Sequence, residues 1–225
     1  MDPYIFGFFA LAYLSLLIWG FIKHRKTASA VLFLVIIALI YDNGILAIGH
    51  LVGEGQLLET LNSGRFWLHA LFTPMLILFS LFVMREANIP FAKKPWALYV
   101  FGALTLIAIM VEYFIELNGL KLEPQEAYGV LSYTSTHDAS GPPPMILLVL
   151  VSLFIAAITL AVKRKWWCML IGTVVMTIGS AVPIDVGSDA ITNAFELFLL
   201  ITLMWTGIYF SNEAANKVDS SSKKT

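Results

Sequence analysis

Charge is scarce in this chain. Lys, Arg, Asp and Glu together make up 13% of its 225 residues and apolar types 59%, a balance that excludes an ordinary water-soluble domain. Cysteine is nearly missing. Cys168 stands alone, so an internal disulfide and a thiolate cluster are both excluded, and its place beside Trp166 and Trp167 in an apolar run marks it as a packing residue. Sharp catalytic signatures are missing as well: there is no HExxH, no Gly-rich phosphate loop, no GxSxG elbow and no CxxC pair. The last apolar segment holds no lysine, which excludes a retinal-type Schiff base, and no Asn-x-Ser/Thr sequon occurs. Nor is there a distributed basic surface for nucleic acid.

What is present is apolar sequence in long runs. A spanning helix needs about 20 mostly apolar residues, and seven stretches meet that demand: roughly 4–22, 28–50, 65–84, 96–117, 144–162, 166–184 and 190–210. The expected fold is therefore an all-α, polytopic seven-helix transmembrane domain over residues 1–211, followed by a disordered cytoplasmic tail over 212–225, where Ser and Lys dominate.

Lys and Arg orient the bundle. Lys23, Arg25, Lys26, Arg85, Lys93, Lys94, Lys163, Arg164, Lys165, Lys217, Lys223 and Lys224 all fall on one side of this alternation, leaving only Arg65 and Lys121 towards the other. That asymmetry places the N-terminus outside and the C-terminus in the cytoplasm of a cell membrane. Met1-Asp2-Pro3 lacks the basic start of a signal peptide, so the first run is expected to stay as an anchor. The formal net charge of -1 hides this segregation of sign.

One connection is long. Residues 118–143 carry Glu123, Glu126, His137, Asp138 and the run Gly141-Pro142-Pro143-Pro144, a length that suits an external lid, a binding loop or a linker. No internal repeat is visible, which gives an inverted-repeat transporter no support.

Polar residues inside the apolar runs recur at helical spacing. Asp42, Leu46 and His50 share a face of the second segment, with Tyr41 and Asn43 beside Asp42; Arg65, His69 and Thr73 share a face of the third. Glu112 and Glu116 stand four apart in the fourth, next to Tyr113, and Asp189, Asn193 and Glu196 line the start of the seventh. Counting about 1.5 Å per residue from each outer end puts Asp42, His69, Glu112 and Glu196 roughly 6–12 Å below the external surface. Below them, Leu76 to Val83 and Leu197 to Leu203 hold almost nothing ionisable. The expected object is a polar cup open outwards and closed beneath, with Pro74 kinking the third helix beside His69.

Intramembrane charge is expensive, so a full ionic set points to function. Asp42, His69, Glu112 and Glu196 read as acid, base or metal-binding groups, with Tyr41, Asn43, Arg65, Tyr113, Glu116 and Asn193 around a substrate. Each also has a plainer reading: Asp42 can bridge to Arg65 or His69 as glue between helices, and Asp185 and Asp189 suit a helix cap. A divalent metal could sit on His69 with Asp42, Glu112 and Glu196 and hydrolyse a lipid, although a single histidine at this depth is sparse for zinc. Alkaline ceramidases and progestin-receptor-like hydrolases are similar in having seven helices, but they carry histidines on their last helices, where this chain has none. The layout resembles that of membrane-bound isoprenoid cyclases in size, in buried carboxylic acids and in aromatic-rich helices, which implies proton donation to an isoprenoid without a metal. The competing class is a proton- or cation-linked transporter, or a receptor that binds an apolar small molecule from outside.

Overall fold

The computed structural model describes residues 2–23, 27–136, 143–181, 188 and 190–222. His137, Asp138, Gly141, Pro142, Asp185, Gly187 and Asp189 lie outside the described residues, and with them the readings placed on those positions.

Seven helical segments run back and forth: α1 (Asp2–Lys23), α2 (Thr27–Val52), a third segment divided into α3 (Gln56–Phe72) and α4 (Met75–Glu86), α5 (Pro95–Glu112), α6 (Pro144–Arg164), α7 (Cys168–Ala181) and α8 (Ile191–Ser222). Six of the seven are long and apolar enough to cross a bilayer, and α7 is a shorter apolar helix of 14 residues. The chain is an all-α polytopic membrane protein. Its outward faces confirm the solvent: Phe8, Leu11, Ile22, Leu51, Tyr99, Leu106 and Ile107 are all exposed, a surface that only hydrocarbon tolerates.

At the centre stands α4, with Leu76, Ile77, Phe79, Leu81, Val83 and Met84 buried. It packs on α2, α6 and α8, while α1 lies along α2 and α7 along α8. Glycine sets the last of these approaches. A Cβ at Gly172 would run into Thr202 and one at Gly179 into the Phe195 ring, so the two helices approach where glycine leaves room.

The Lys/Arg-rich end is tied by side chains. Arg164 makes a two-pronged ion pair with Glu213 at 2.6 Å, donates to the Ala87 carbonyl and lies 5.2 Å from the centre of the Phe210 ring. Trp166 donates to Thr206 Oγ1 at 2.9 Å, and Glu86 accepts from the Ala28 backbone N–H at 3.1 Å. The helix α8 runs to Ser222, and Glu213 within it is anchored to α6.

Two findings concern the opposite end. The third segment starts at Gln56, nine residues before the apolar count alone put it, because Leu57, Leu58 and Leu61 continue the helix while Gln56, Glu59, Thr60 and Ser63 form its polar side. Glu59 is thus in a helix, within its first turn where an acid suits the dipole, and not in the connecting turn. The long connection is also not a featureless loop. Leu122–Ala127 and Val130–Ser135 form an antiparallel β-hairpin, β1 and β2, closed by Tyr128 (φ 51°) and Gly129 (φ 80°). Both positive angles suit a two-residue mirror-image turn.

That hairpin is packed onto the bundle. Tyr133 buries its ring with Ile45 and Leu58 and accepts a hydrogen bond from the Gly55 N–H at 3.1 Å. Gly49 on α2 meets the Leu131 carbonyl so closely that any Cβ there would overlap it.

Candidate functional site

The tight turn at 53–55 fixes the level of the site. Asp42 lies ten residues before the end of α2 and Arg65 nine after the start of α3, about 15 and 14 Å along antiparallel neighbours, so the two meet. Arg65 Nε donates to Asp42 Oδ1 at 2.7 Å, and Arg65 Nη1 donates to Asn62 Oδ1 at 2.7 Å. Arg65 therefore sits well inside the helix, not at the interface where a start near residue 65 would put it. Asn62, fully buried, spends its amide on the Leu58 carbonyl and its oxygen on Arg65, which fixes the guanidinium from the outer side.

One turn deeper, His69 Nδ1 is 3.2 Å from Thr73 Oγ1. Here the helix breaks. Pro74 has no N–H to offer the carbonyl a turn earlier, so α3 ends at Phe72, the Thr73 N–H closes onto the His69 carbonyl and α4 begins at Met75. The helix is thus interrupted at Thr73–Pro74, one turn beyond His69, while both residues keep right-handed helical angles.

Facing them is the end of α5. Glu112 is buried, and its Oε2 has no hydrogen-bond partner. Directly after it the backbone widens into a π-helical turn, Tyr113–Leu117, closed by the Asn118 N–H on the Tyr113 carbonyl at 2.7 Å. Such turns cluster at functional sites. This one carries Glu116 on the same side as Glu112.

These groups line one cavity of about 300 Å³: Asp42, Arg65, Phe66, His69, Glu112, Glu116 and, from the hairpin, Ser135. Three carboxyl groups face one guanidinium and one imidazole; Arg65 is taken by Asp42, and among the described residues neither Glu112 nor Glu116 forms an ion pair. A second cavity of about 250 Å³ shares Asp42, Arg65 and Phe66 and continues to Asp2, Asn193 and the hairpin residues Gln125, Ser132 and Thr134. The Asp42–Arg65 pair is the common wall.

Glu196 approaches that wall from the far side. It lines neither of these cavities; Tyr13, buried on α1, donates to the Asn193 carbonyl at 3.3 Å, one turn before Glu196, and the three side chains of Tyr13, Glu196 and Asp42 act on one another electrostatically. Three other residues expected at the site are elsewhere. Tyr41 donates to the Leu61 carbonyl at 2.9 Å and packs on Gly64, clamping α2 to α3. Asn43 is fully buried and donates to the Leu39 carbonyl at 3.0 Å within its own helix. Tyr113 points outward, 6.2 Å from the Trp67 ring and 5.3 Å from Phe114. Neighbours of Asp42 in sequence leave its face by 100° per residue, which explains why Tyr41 and Asn43 do not follow it.

Residues that periodicity does not single out are Tyr13, Asn62, Phe66 and Ser135. Tyr13 looks like one more aromatic in an apolar run, and Ser135 reaches the cavity only because the hairpin folds back. Among the described residues no group of three or more His, Cys, Asp or Glu side chains is arranged to hold a metal ion. His50, on the same stripe as Asp42, is instead paired with Glu126 of the hairpin at 3.4 Å on the surface.

No family model matches the chain, and neither the curated proteins nor the solved structures searched yield a match.

Proposed function

We propose that this multi-pass membrane protein is an enzyme of the cell membrane that acts on a lipid or isoprenoid by acid–base chemistry in the cavity between α2, α3 and the end of α5. The observation that carries the reading is Glu112: a buried carboxyl with an unbonded oxygen, facing His69 and Glu116 across a small polar chamber in an otherwise apolar bundle. A carboxylic acid held there donates its proton to an oxygen or a double bond of the substrate, and the resulting carboxylate takes a proton back from product or from His69. One ring nitrogen of His69 is held by Thr73, which orients the imidazole and leaves Nε2 for exchange. Arg65 is fixed by Asp42 and Asn62 and positions a polar head group. At about 300 Å³ the chamber is at the small end for ligand sites, so it takes the reactive end of a long molecule and not the whole of it.

Among the described residues no ligand cluster supports metal-assisted hydrolysis, whereas the unbonded carboxyl oxygen of Glu112 supports proton chemistry. A second reading, a proton- or cation-linked transporter, is favoured by one observation: the Asp42–Arg65 pair separates two cavities, as a gate would.

The test is incubation of the purified chain with a total membrane lipid extract in D2O, followed by mass spectrometry. Deuterium uptake or a new product in one lipid class, lost in Glu112→Gln and reduced in His69→Gln, is the expected result. No change in any lipid, together with Glu112-dependent proton uptake by reconstituted vesicles, overturns the enzyme reading in favour of transport.

A further inference from the structure

At the Lys/Arg-rich end a groove of about 680 Å³ runs between the α4–α5 connection and the last two turns of α6. Its walls are Ile89, Pro90 and Phe91 on one side and Ile158, Thr159 and Val162 on the other, with Lys163 at the rim. Ile158 and Val162 are more than half exposed although they face this groove. In a bilayer such a slot does not stay empty; it takes an acyl chain.

The rim selects which one. Lys163 has no acidic partner among the described residues, and neither have Lys93 and Lys94, two and three residues beyond Phe91; Lys93 Nζ reaches only Asn88 Oδ1. Two acids at this end of the bundle are engaged elsewhere: Glu86 caps the start of α2, and Glu213 holds Arg164. Arg164 itself is paired with Glu213 and bonded to the Ala87 carbonyl, so it shapes the floor and adds no free charge. An apolar slot that ends in unpaired ammonium groups at the level of the head groups complements an anionic phospholipid, the acyl chain along Ile158 and Val162 and the phosphate at Lys163. Exposed Trp96 and Trp167, at the starts of α5 and α7, mark the same interfacial level.

We infer that this groove is a binding site for an anionic phospholipid, distinct from the polar cavity at the other end of the bundle. The assignment does not depend on the enzymatic reading.

Native mass spectrometry of the full chain released from nanodiscs of equimolar phosphatidylglycerol and phosphatidylcholine tests it. The expected result is preferential retention of phosphatidylglycerol, reduced about fivefold by Lys163→Gln, the size expected for one interfacial lysine. Ile158→Trp, which fills the slot and leaves every charge in place, is expected to reduce retention of both lipids. Equal retention of the two lipids by the native chain overturns the proposal, and so does a Lys163→Gln protein with unchanged preference. Lys163 is exposed and has no ion-pair partner among the described residues, so its substitution leaves the fold intact and the outcome readable.

Discussion

Arg65 and Asp42 meet at 2.7 Å in the wall between two cavities, with only about a quarter or less of either side chain exposed. Removing one partner leaves the other charge without its counterion in a bundle that offers little water. A fully buried pair costs about 3–5 kcal/mol when broken from one side, and partial exposure to the cavities lowers this to about 2 kcal/mol for Asp42→Asn or Arg65→Gln. Unfolding in detergent by denaturant checks it. The double variant is expected to lose less than the sum of the two single losses; strict additivity means that the pair does not couple α2 to α3.

Glu112→Gln separates function from stability. The carboxyl has an oxygen without a partner, so a neutral isostere keeps the shape, breaks no bond at that oxygen and, like the protonated acid, buries no charge. Stability is expected to stay level or rise by up to about 1 kcal/mol, while activity disappears. A marked drop in melting temperature contradicts the picture of an unsupported acid.

The hairpin is expected to lift when Gly49 gains a methyl group. A Cβ at this position overlaps the Leu131 carbonyl, whereas Gly44, on the same helix, has nothing within 4 Å of its own would-be Cβ. Gly49→Ala should therefore destabilise by about 1–3 kcal/mol, the usual cost of overpacking, and speed amide exchange across residues 122–135. Gly44→Ala should leave both unchanged. Equal behaviour of the two variants removes the hairpin as a fixed cover over the cavities.

Helix α7 depends on contacts too close for a side chain. Gly179→Val drives a branched side chain into the Phe195 ring and should cost about 3 kcal/mol or more, with loss of monodispersity on size exclusion. A companion Phe195→Ala, which opens space opposite, is expected to recover part of that loss. No recovery means that the defect arises within α7 and not at its interface with α8.

Much of this protein is determined by the sequence alone, because the bilayer makes one demand that dominates all others: backbone groups must be satisfied within each span. Runs of about 20 apolar residues answer that demand, so the number of helical segments, the clustering of Lys and Arg at their shared ends and the spacing that aligns Asp42, Arg65, His69, Glu112 and Glu116 can all be read without coordinates. Periodicity says which residues share a face. It does not say which faces meet.

Tertiary structure decided the rest, and the reason is distance along the chain. Whether Tyr13 of α1 would stand against Glu196 of α8, or Ser135 of the hairpin would close the chamber that Glu112 faces, depends on how helices pack and on where a β-turn at Tyr128 and Gly129 returns the chain. The starting point of α3 also escaped the apolar count, since residues 56–63 are half polar and gain their helix from packing Leu58 beneath Tyr133. Local pattern fixes elements and their buried stripes; only contacts between residues far apart in sequence made those stripes into a cavity.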